Sequence, residues 1–133
     1  MAHTAEQYFI QTFIRKSRRD RLLFELTTET RRYHGLSRFC HQSEELLDPA
    51  RIVLSGADLE YRPDFWHFAE QHNETCLLLS PDSEMDNRTM KFHDAIHMAA
   101  GFQDAVIIVG STFAVVFGEP VKGGRDKFLL SED

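Results

Sequence analysis

The chain has 133 residues, is 42% hydrophobic and 27% charged, and carries a formal net charge of −6 at pH 7. This length suits one α+β domain over residues 1–133, and the eleven phenylalanines exclude a wholly disordered chain. The acidic balance argues against a general nucleic-acid-binding protein.

Two further features bear on where the protein works. The N-terminus lacks a basic stretch followed by an apolar one, and the longest apolar runs, 105–109 and 113–117, are far shorter than the roughly 20 residues of a membrane-spanning helix. We therefore expect a cytoplasmic protein that does not enter a membrane. The two cysteines, Cys40 and Cys76, have no CxxC spacing, and we expect both to be buried thiols.

The start of the chain has the residue spacing of helices. A first helix is predicted over 4–15, because Thr4 and Gln7 have the spacing of a capping box and apolar residues follow at i and i+4. Ser17 and Asp20 predict the start of a second helix.

A third helix is predicted after a break. The threonine-rich stretch 27–30 interrupts the helical pattern, since threonine is a poor helix former there. The helix that follows is predicted over 29–47 and ends at Asp48-Pro49, because the residue before a proline avoids the helical region. The predicted apolar face of this helix consists of Tyr33, Leu36, Cys40 and Leu47.

The second half of the chain predicts strands with two helices between them. The predicted strands are 51–54, 75–80, 105–109, 113–117 and 127–130, and the predicted helices are 63–72 and 88–100. This order predicts an α+β fold in which N-terminal helices pack on a small mixed sheet. If 75–80 and 105–109 pair directly, they should form a parallel βαβ crossover. The last strands should add an antiparallel hairpin and meander.

Basic residues are concentrated in one stretch. Residues 15–38 hold eight basic and three acidic residues, a net charge of +5, whereas the rest of the chain has a net charge of −11. Guanidinium groups bind phosphate and carboxylate oxygens bidentately, so this stretch predicts a non-catalytic binding or regulatory module for an anionic ligand or an acidic partner protein. The residues expected to bind are Arg18, Arg19, Arg31 and Arg32. The alternative is that these arginines are solvated or pair with acidic residues of the same chain.

A pair of histidines supports a different function. His93 and His97 are four residues apart on the predicted helix 88–100, so both rings lie on one side and can share a metal ion. A catalytic zinc or iron site needs a third protein ligand. The candidates for that ligand are His41, His67, His72, Glu119 and Asp94. The alternative function is thus a metal-assisted hydrolase in which Glu119 or Asp94 is the base or third ligand. Two histidines on a half-exposed helical face are the simpler explanation.

The helix predicted over 63–72 is rich in aromatic residues. Phe65, Trp66 and Phe68 cannot all point in one direction on a single helix. One side therefore meets either a second copy of the chain, which would make a homodimer, or a second layer of the same domain.

Overall fold

The computed structural model describes residues 4–121 and 124–132. Within them lie six α-helices: α1 (Ala5–Phe13), α2 (Arg19–Thr27), α3 (Arg32–Ser37), α4 (Ser43–Leu46), α5 (Pro63–Gln71) and α6 (Phe92–Gly101). The strands are β1 (Ile52–Ser55), β2 (Thr75–Leu79), β3 (Thr89–Lys91), β4 (Val106–Val109), β5 (Phe113–Phe117) and β6 (Lys127–Ser131). They form one sheet in the order β1-β6-β5-β4-β2-β3, with N-terminal helices packed against it. The predicted α+β class is confirmed.

Local sequence signals account for where several helices begin. At α1 the hydroxyl of Thr4 accepts a hydrogen bond from the Gln7 backbone N–H at 3.1 Å, and the Gln7 side chain accepts one from the Thr4 N–H at 3.2 Å. This pair satisfies two amide groups that a helix leaves without partners. Helix α5 begins at Pro63, whose fixed φ suits the first helical position.

The sheet is covered by helices on both faces. Along β4, Ile107 and Val109 enter a core with α1, α2 and α3, whereas Val106 and Ile108 enter a second core with α5 and α6. The strands β4, β5 and β6 are buried throughout, as expected when both faces of a sheet are covered. The N-terminal helices thus cover one face, as predicted, and α5 and α6 cover the other.

The long helix predicted over 29–47 is wrong. The chain forms α3, a 3-10 turn and the short α4 in its place. The Cys40 carbonyl accepts a hydrogen bond from the Glu119 N–H at 3.1 Å, and Leu47 forms an isolated β-bridge with Ile14, so tertiary contacts replace helical hydrogen bonds. Of the predicted apolar face, Leu36 and Leu47 are buried and Cys40 packs against the same core, whereas Tyr33 is 62% exposed.

The predicted parallel crossover, and with it the mixed sheet, is also wrong. Strands β2 and β4 do pair directly, but they are antiparallel. The polar loop after β2 turns the chain back into β3, a strand that the sequence pattern had assigned to the helix 88–100. Helix α6 therefore connects β3 to β4, which lie on either side of β2 and run parallel to each other without touching. The sheet is antiparallel at every pairing.

The helices in the described ranges have ten residues at most. None of them has the length and apolar character needed to span a membrane.

Candidate binding surface

The four arginines predicted to bind an anion lie in two separate places. Arg18 and Arg19 lie where α2 begins, and Arg31 and Arg32 lie just beyond its end. A nine-residue helix is roughly 13 Å long. The structure therefore does not bring the four predicted residues together in one site.

Arg32 is committed to contacts within the fold. Its Nε and Nη2 donate to the two carboxylate oxygens of Asp86 at 2.7 and 3.1 Å, and its Nη1 lies 2.7 Å from a carboxylate oxygen of Glu6. Nη1 also donates to the Leu26 carbonyl at 2.9 Å. The hydrogen bond with Asp86 is the largest cause of a raised Arg32 pKa; burial opposes it, and Glu6 adds to it. Arg32 thus joins α1, the end of α2 and the loop after β2.

Arg19 is also bound within the fold, whereas the other two predicted residues, Arg18 and Arg31, are not. The Arg19 Nε donates to the Ile14 carbonyl at 2.9 Å, which satisfies a backbone group just beyond α1. Arg18 and Arg31 are exposed, and neither side chain has a partner among the described residues. Of the four predicted positions, these two are available to a ligand, and they lie at opposite ends of α2.

An ion pair between Glu25 of α2 and Arg38, the first residue of the 3-10 turn that follows α3, lies beside Arg18. Arg38 donates from Nε and Nη2 to the two oxygens of Glu25 at 3.1 and 2.9 Å, and Glu25 is only 5% exposed. The helices α2 and α3 approach closely here because Gly35 has no side chain. A Cβ at this position would lie only 3.0 Å from side-chain atoms of Glu25 and Leu26 in α2. The Arg21 Nε is 4.0 Å from the same carboxylate. Arg21 and Arg38 thus share the single negative charge of Glu25, so one positive charge is not neutralised.

These contacts define a basic surface on the outer side of the N-terminal helices. The members of the basic surface are Arg15, Lys16, Arg18, Arg21 and Arg38. A depression of about 410 Å³ beside it is lined by Arg15, Ser17, Arg18, Glu44 and Glu45. Arg15 donates to the Glu44 backbone carbonyl at 2.8 Å, which fixes it against α4.

Three of the acidic residues near the basic surface lie beside it or beneath it. Glu44 and Glu45 belong to α4 and form no ion pair among the described residues, and Glu25 is buried beneath the surface. With Arg19 and Asp20 of the first turn of α2 included, six basic residues stand against four acidic ones, a local net charge of +2 on a chain of net charge −6. The sequence stretch pointed to this region, but Arg15, Lys16, Arg21 and Arg38 were not among the residues chosen.

The two histidines of the predicted metal site both contact Trp66. The His97 ring lies 5.4 Å from the indole at an interplanar angle of 31°, and the His93 ring meets it edge-on at 5.5 Å. A His93 ring nitrogen, Nε2, lies 3.2 Å from the Ala69 carbonyl oxygen. The pair therefore packs in the α5–α6 layer rather than facing an open coordination site.

The structure supplies no third ligand for that pair. The Glu119 carboxylate lies 2.9 Å from the His41 ring nitrogen Nε2, and Asp94 is exposed on α6. Residues 4–121 and 124–132 contain no group of three or more histidine, cysteine or acidic side chains placed to hold a metal ion. The metal-assisted hydrolase therefore lacks a coordination site in the described part of the chain.

Both cysteines are thiols on different faces of the sheet. Cys40 packs against the core of α1 to α3, and Cys76 lies in the core of α5 and α6. Burial, followed by the carboxylate of Asp104, raises the pKa of Cys40 to about 11. Burial, followed by the charge of Glu74, raises the pKa of Cys76 to about 12. Neither thiol has the lowered pKa of a catalytic nucleophile.

Two further cations are buried beside β5 and β6. Arg125 donates to the backbone carbonyls of Gly118, Ala99 and Asp104, so it ties the end of α6 to the sheet, and burial lowers its pKa. Lys127 donates to both carboxylate oxygens of Glu60 at 2.6 and 2.8 Å. These cations are bound within the fold. One signal of this was visible in the sequence, namely a lysine as the first residue of a predicted strand.

The aromatic helix α5 packs inside its own layer. Phe65 is fully buried, and Phe68 packs edge-on against Phe113 of the sheet at 5.4 Å. The second of the two explanations, a helix held between layers of one domain, therefore accounts for its aromatic residues. A homodimer stays a prediction.

Comparisons of the chain with protein-family models, with curated proteins and with solved structures found no match in any of the three.

Proposed function

We propose that this protein is a non-catalytic binding module that engages an acidic segment of a partner protein through the basic surface. The observation that carries this proposal is that three cations on that surface lack a close ion-pair partner among the described residues. Lys16 and Arg18 are exposed and have no partner among the residues described, and the closest carboxylate oxygen to Arg21 is 4.0 Å away. Side chains left in this state lose little by turning toward an external carboxylate.

An extended acidic segment fits this surface better than a small enclosed anion. The three cations are spread along the turn before α2 and the first turn of that helix, so they present a row rather than a pocket of converging donors. A small anion seated in the neighbouring depression would meet Glu44 and Glu45. A flexible acidic chain can follow the row and stay clear of these two carboxylates.

The charge distribution favours a protein partner over a nucleic acid. The local net charge of the surface is +2, whereas the chain as a whole carries −6. A long polyanion would extend beyond the basic surface and meet the acidic remainder of the chain. A short acidic segment would contact only the basic part.

The experiment is a fluorescence-anisotropy titration of a labelled ten-residue Asp/Glu peptide, with an Asn/Gln peptide of the same length as control. We expect the acidic peptide to bind and its affinity to fall roughly tenfold or more between about 0.05 and 0.5 M salt, because exposed charge contacts are screened. Equal binding of the neutral peptide, or an affinity that salt does not change, would refute the proposal. A single-stranded RNA of equal charge that binds more tightly would refute the choice of a protein partner.

A further inference from the structure

A second concave site lies on the opposite side of the sheet from the basic surface. Its volume is about 440 Å³, within the range of small-molecule sites. We name it the aromatic cleft; it is lined by Glu60, Tyr61, Trp66, Ile96, His97 and Ala100. It lies over the layer of α5 and α6, whereas the basic surface belongs to the layer of α1 to α4.

One wall of the aromatic cleft is rigid, and the other is free. The Trp66 indole N–H donates to the Glu60 carbonyl at 2.6 Å, and the His97 ring packs on the indole at 5.4 Å. Tyr61 differs from both, because it is 80% exposed and its ring contacts no other aromatic ring in the described part of the chain. Such an exposed aromatic side chain beside a fixed indole is available to close over a ligand.

The surroundings of the aromatic cleft are acidic. Residues 57–72 and 92–101 contain the six lining residues, and Lys127 and Arg125 contact Glu60 and the end of α6 from outside these ranges. Together these residues comprise five acidic and three basic ones, a net charge of −2. The acidic residues are Asp58, Glu60, Asp64, Glu70 and Asp94. Since aromatic ring faces also attract cations, charge and ring chemistry both select a positively charged ligand.

The acceptor oxygens that Glu60 presents to the cleft are already occupied. Both carboxylate oxygens of Glu60 accept from Lys127, and the Glu60 carbonyl accepts from Trp66. A primary ammonium brings three N–H donors and a guanidinium five, and the acceptor side chains that remain in the lining are Tyr61 and His97. Burying the surplus donors without partners is unfavourable. A quaternary ammonium has no N–H group, and its methyl groups suit an aromatic wall.

We propose that the aromatic cleft binds a small quaternary ammonium compound. The chain has a single tryptophan, so the emission of Trp66 reports directly on this cleft. The experiment titrates the protein with choline and with 3,3-dimethylbutan-1-ol, a neutral molecule of the same shape. We expect a saturable change with choline and an affinity for choline roughly fivefold or more above that for the alcohol. No saturable change, or equal affinities for the two compounds, would overturn the proposal.

Variants of Tyr61 test the free wall. Because its side chain is largely exposed, replacing it should leave the fold intact, which circular dichroism checks. We expect Tyr61→Ala to weaken choline binding by roughly fivefold and Tyr61→Phe to retain it, since only the ring face is needed. Tyr33→Ala removes another exposed tyrosine on the other layer and should have no effect. An unchanged choline affinity in Tyr61→Ala would contradict the proposal.

Two further ligands test the chemical class. Ethanolamine carries a primary ammonium in place of the quaternary one, and we expect it to bind more weakly than choline; equal or tighter binding would contradict the argument from occupied acceptors. A peptide with one trimethyllysine tests whether the occupant is a small molecule. Binding of that peptide roughly tenfold or more above choline would overturn the choice of a small molecule, and equal or weaker binding supports it.

Discussion

The guanidinium of Arg38 holds the buried carboxylate of Glu25 through two hydrogen bonds, of 3.1 and 2.9 Å, across the contact between α2 and α3. Arg21 approaches the same carboxylate from α2 itself. Glu25 has few other ways to be satisfied, because its side chain is only 7% exposed. This pair therefore stabilises the layer of N-terminal helices. Because one carboxylate faces two cations, the basic surface keeps a net positive charge.

Removing Arg38 should destabilise the protein. Arg38→Ala leaves the buried Glu25 carboxylate with only a distant partner, and we expect the free energy of unfolding to fall by about 3 kcal/mol. Arg31→Ala is the control, since Arg31 is exposed without a side-chain partner in the described ranges, and it should change stability by no more than about 0.5 kcal/mol. Urea denaturation of both variants checks this, and equal effects would contradict the role of the pair.

Arg32 should contribute to stability through Asp86. The two side chains form a bidentate pair at 2.7 and 3.1 Å. A double-mutant cycle with Arg32→Ala and Asp86→Ala should give a coupling energy of about 1–3 kcal/mol, because contacting charged residues are not additive. The same cycle with Asp94→Ala, a change at an exposed residue of α6, in place of Asp86→Ala should give coupling near zero. A coupling near zero for Asp86 would show that Arg32 is not committed to the fold.

Both thiols should resist modification in the folded protein. Their pKa values of about 11 and 12 lie above the ordinary value of 9.0, so the neutral form predominates in the folded state at pH 8. We expect a colorimetric disulfide reagent to react slowly with the native protein and quickly with two thiols in denaturant. Because both pKa values are raised in the folded state, the thiols also make the free energy of unfolding depend on pH. Their contribution to that free energy is complete below pH 9 and is lost as the pH rises through about 11 to 12. Rapid native-state labelling at pH 8 would contradict this.

The turn between β4 and β5 requires glycine at position 110. A Cβ there would lie 2.4 Å from the Phe113 ring, which is itself fully buried. Gly110→Ala should therefore lower the free energy of unfolding by about 2 kcal/mol. Gly101→Ala is the matched control, since a Cβ at the end of α6 meets nothing within 4 Å, and it should raise stability by at most about 0.5 kcal/mol. Thermal denaturation distinguishes the two, and a neutral Gly110→Ala would show that the turn can open.

The sequence predicted correctly those helices and strands whose signals lie within a few neighbouring residues. The capping box of Thr4 and Gln7 and the apolar runs of β4 and β5 identified their elements, because each signal lies within a few neighbouring residues. The helix predicted over 29–47 failed for the opposite reason. Its interruption depends on contacts of Cys40 with Glu119 and of Leu47 with Ile14, which no local pattern contains.

The candidate site shows the same division. The excess of basic residues over 15–38 is visible in the sequence, but the partner of each arginine is not. Arg32 is paired because the loop after β2 carries Asp86 to it, and Arg18 is free because no acidic side chain of the described residues lies within ion-pair distance of it. The composition of the sequence identified the basic region. Only the three-dimensional packing shows which of its arginines pair within the fold and which are exposed at the surface.

The most direct test compares two triple variants that change the same amount of charge. Lys16→Glu/Arg18→Glu/Arg21→Glu reverses the charge of the basic surface. Arg31→Glu/Arg88→Glu/Lys91→Glu reverses three exposed cations elsewhere.

The measurement is the Kd for the acidic ten-residue peptide at about 0.15 M salt, where charges more than roughly 8 Å apart are largely screened. We predict that reversing the basic surface raises Kd roughly tenfold or more, and that the control variant stays within about twofold of the original protein. Equal losses in the two variants would show that only total charge matters and would contradict the assignment of binding to the basic surface.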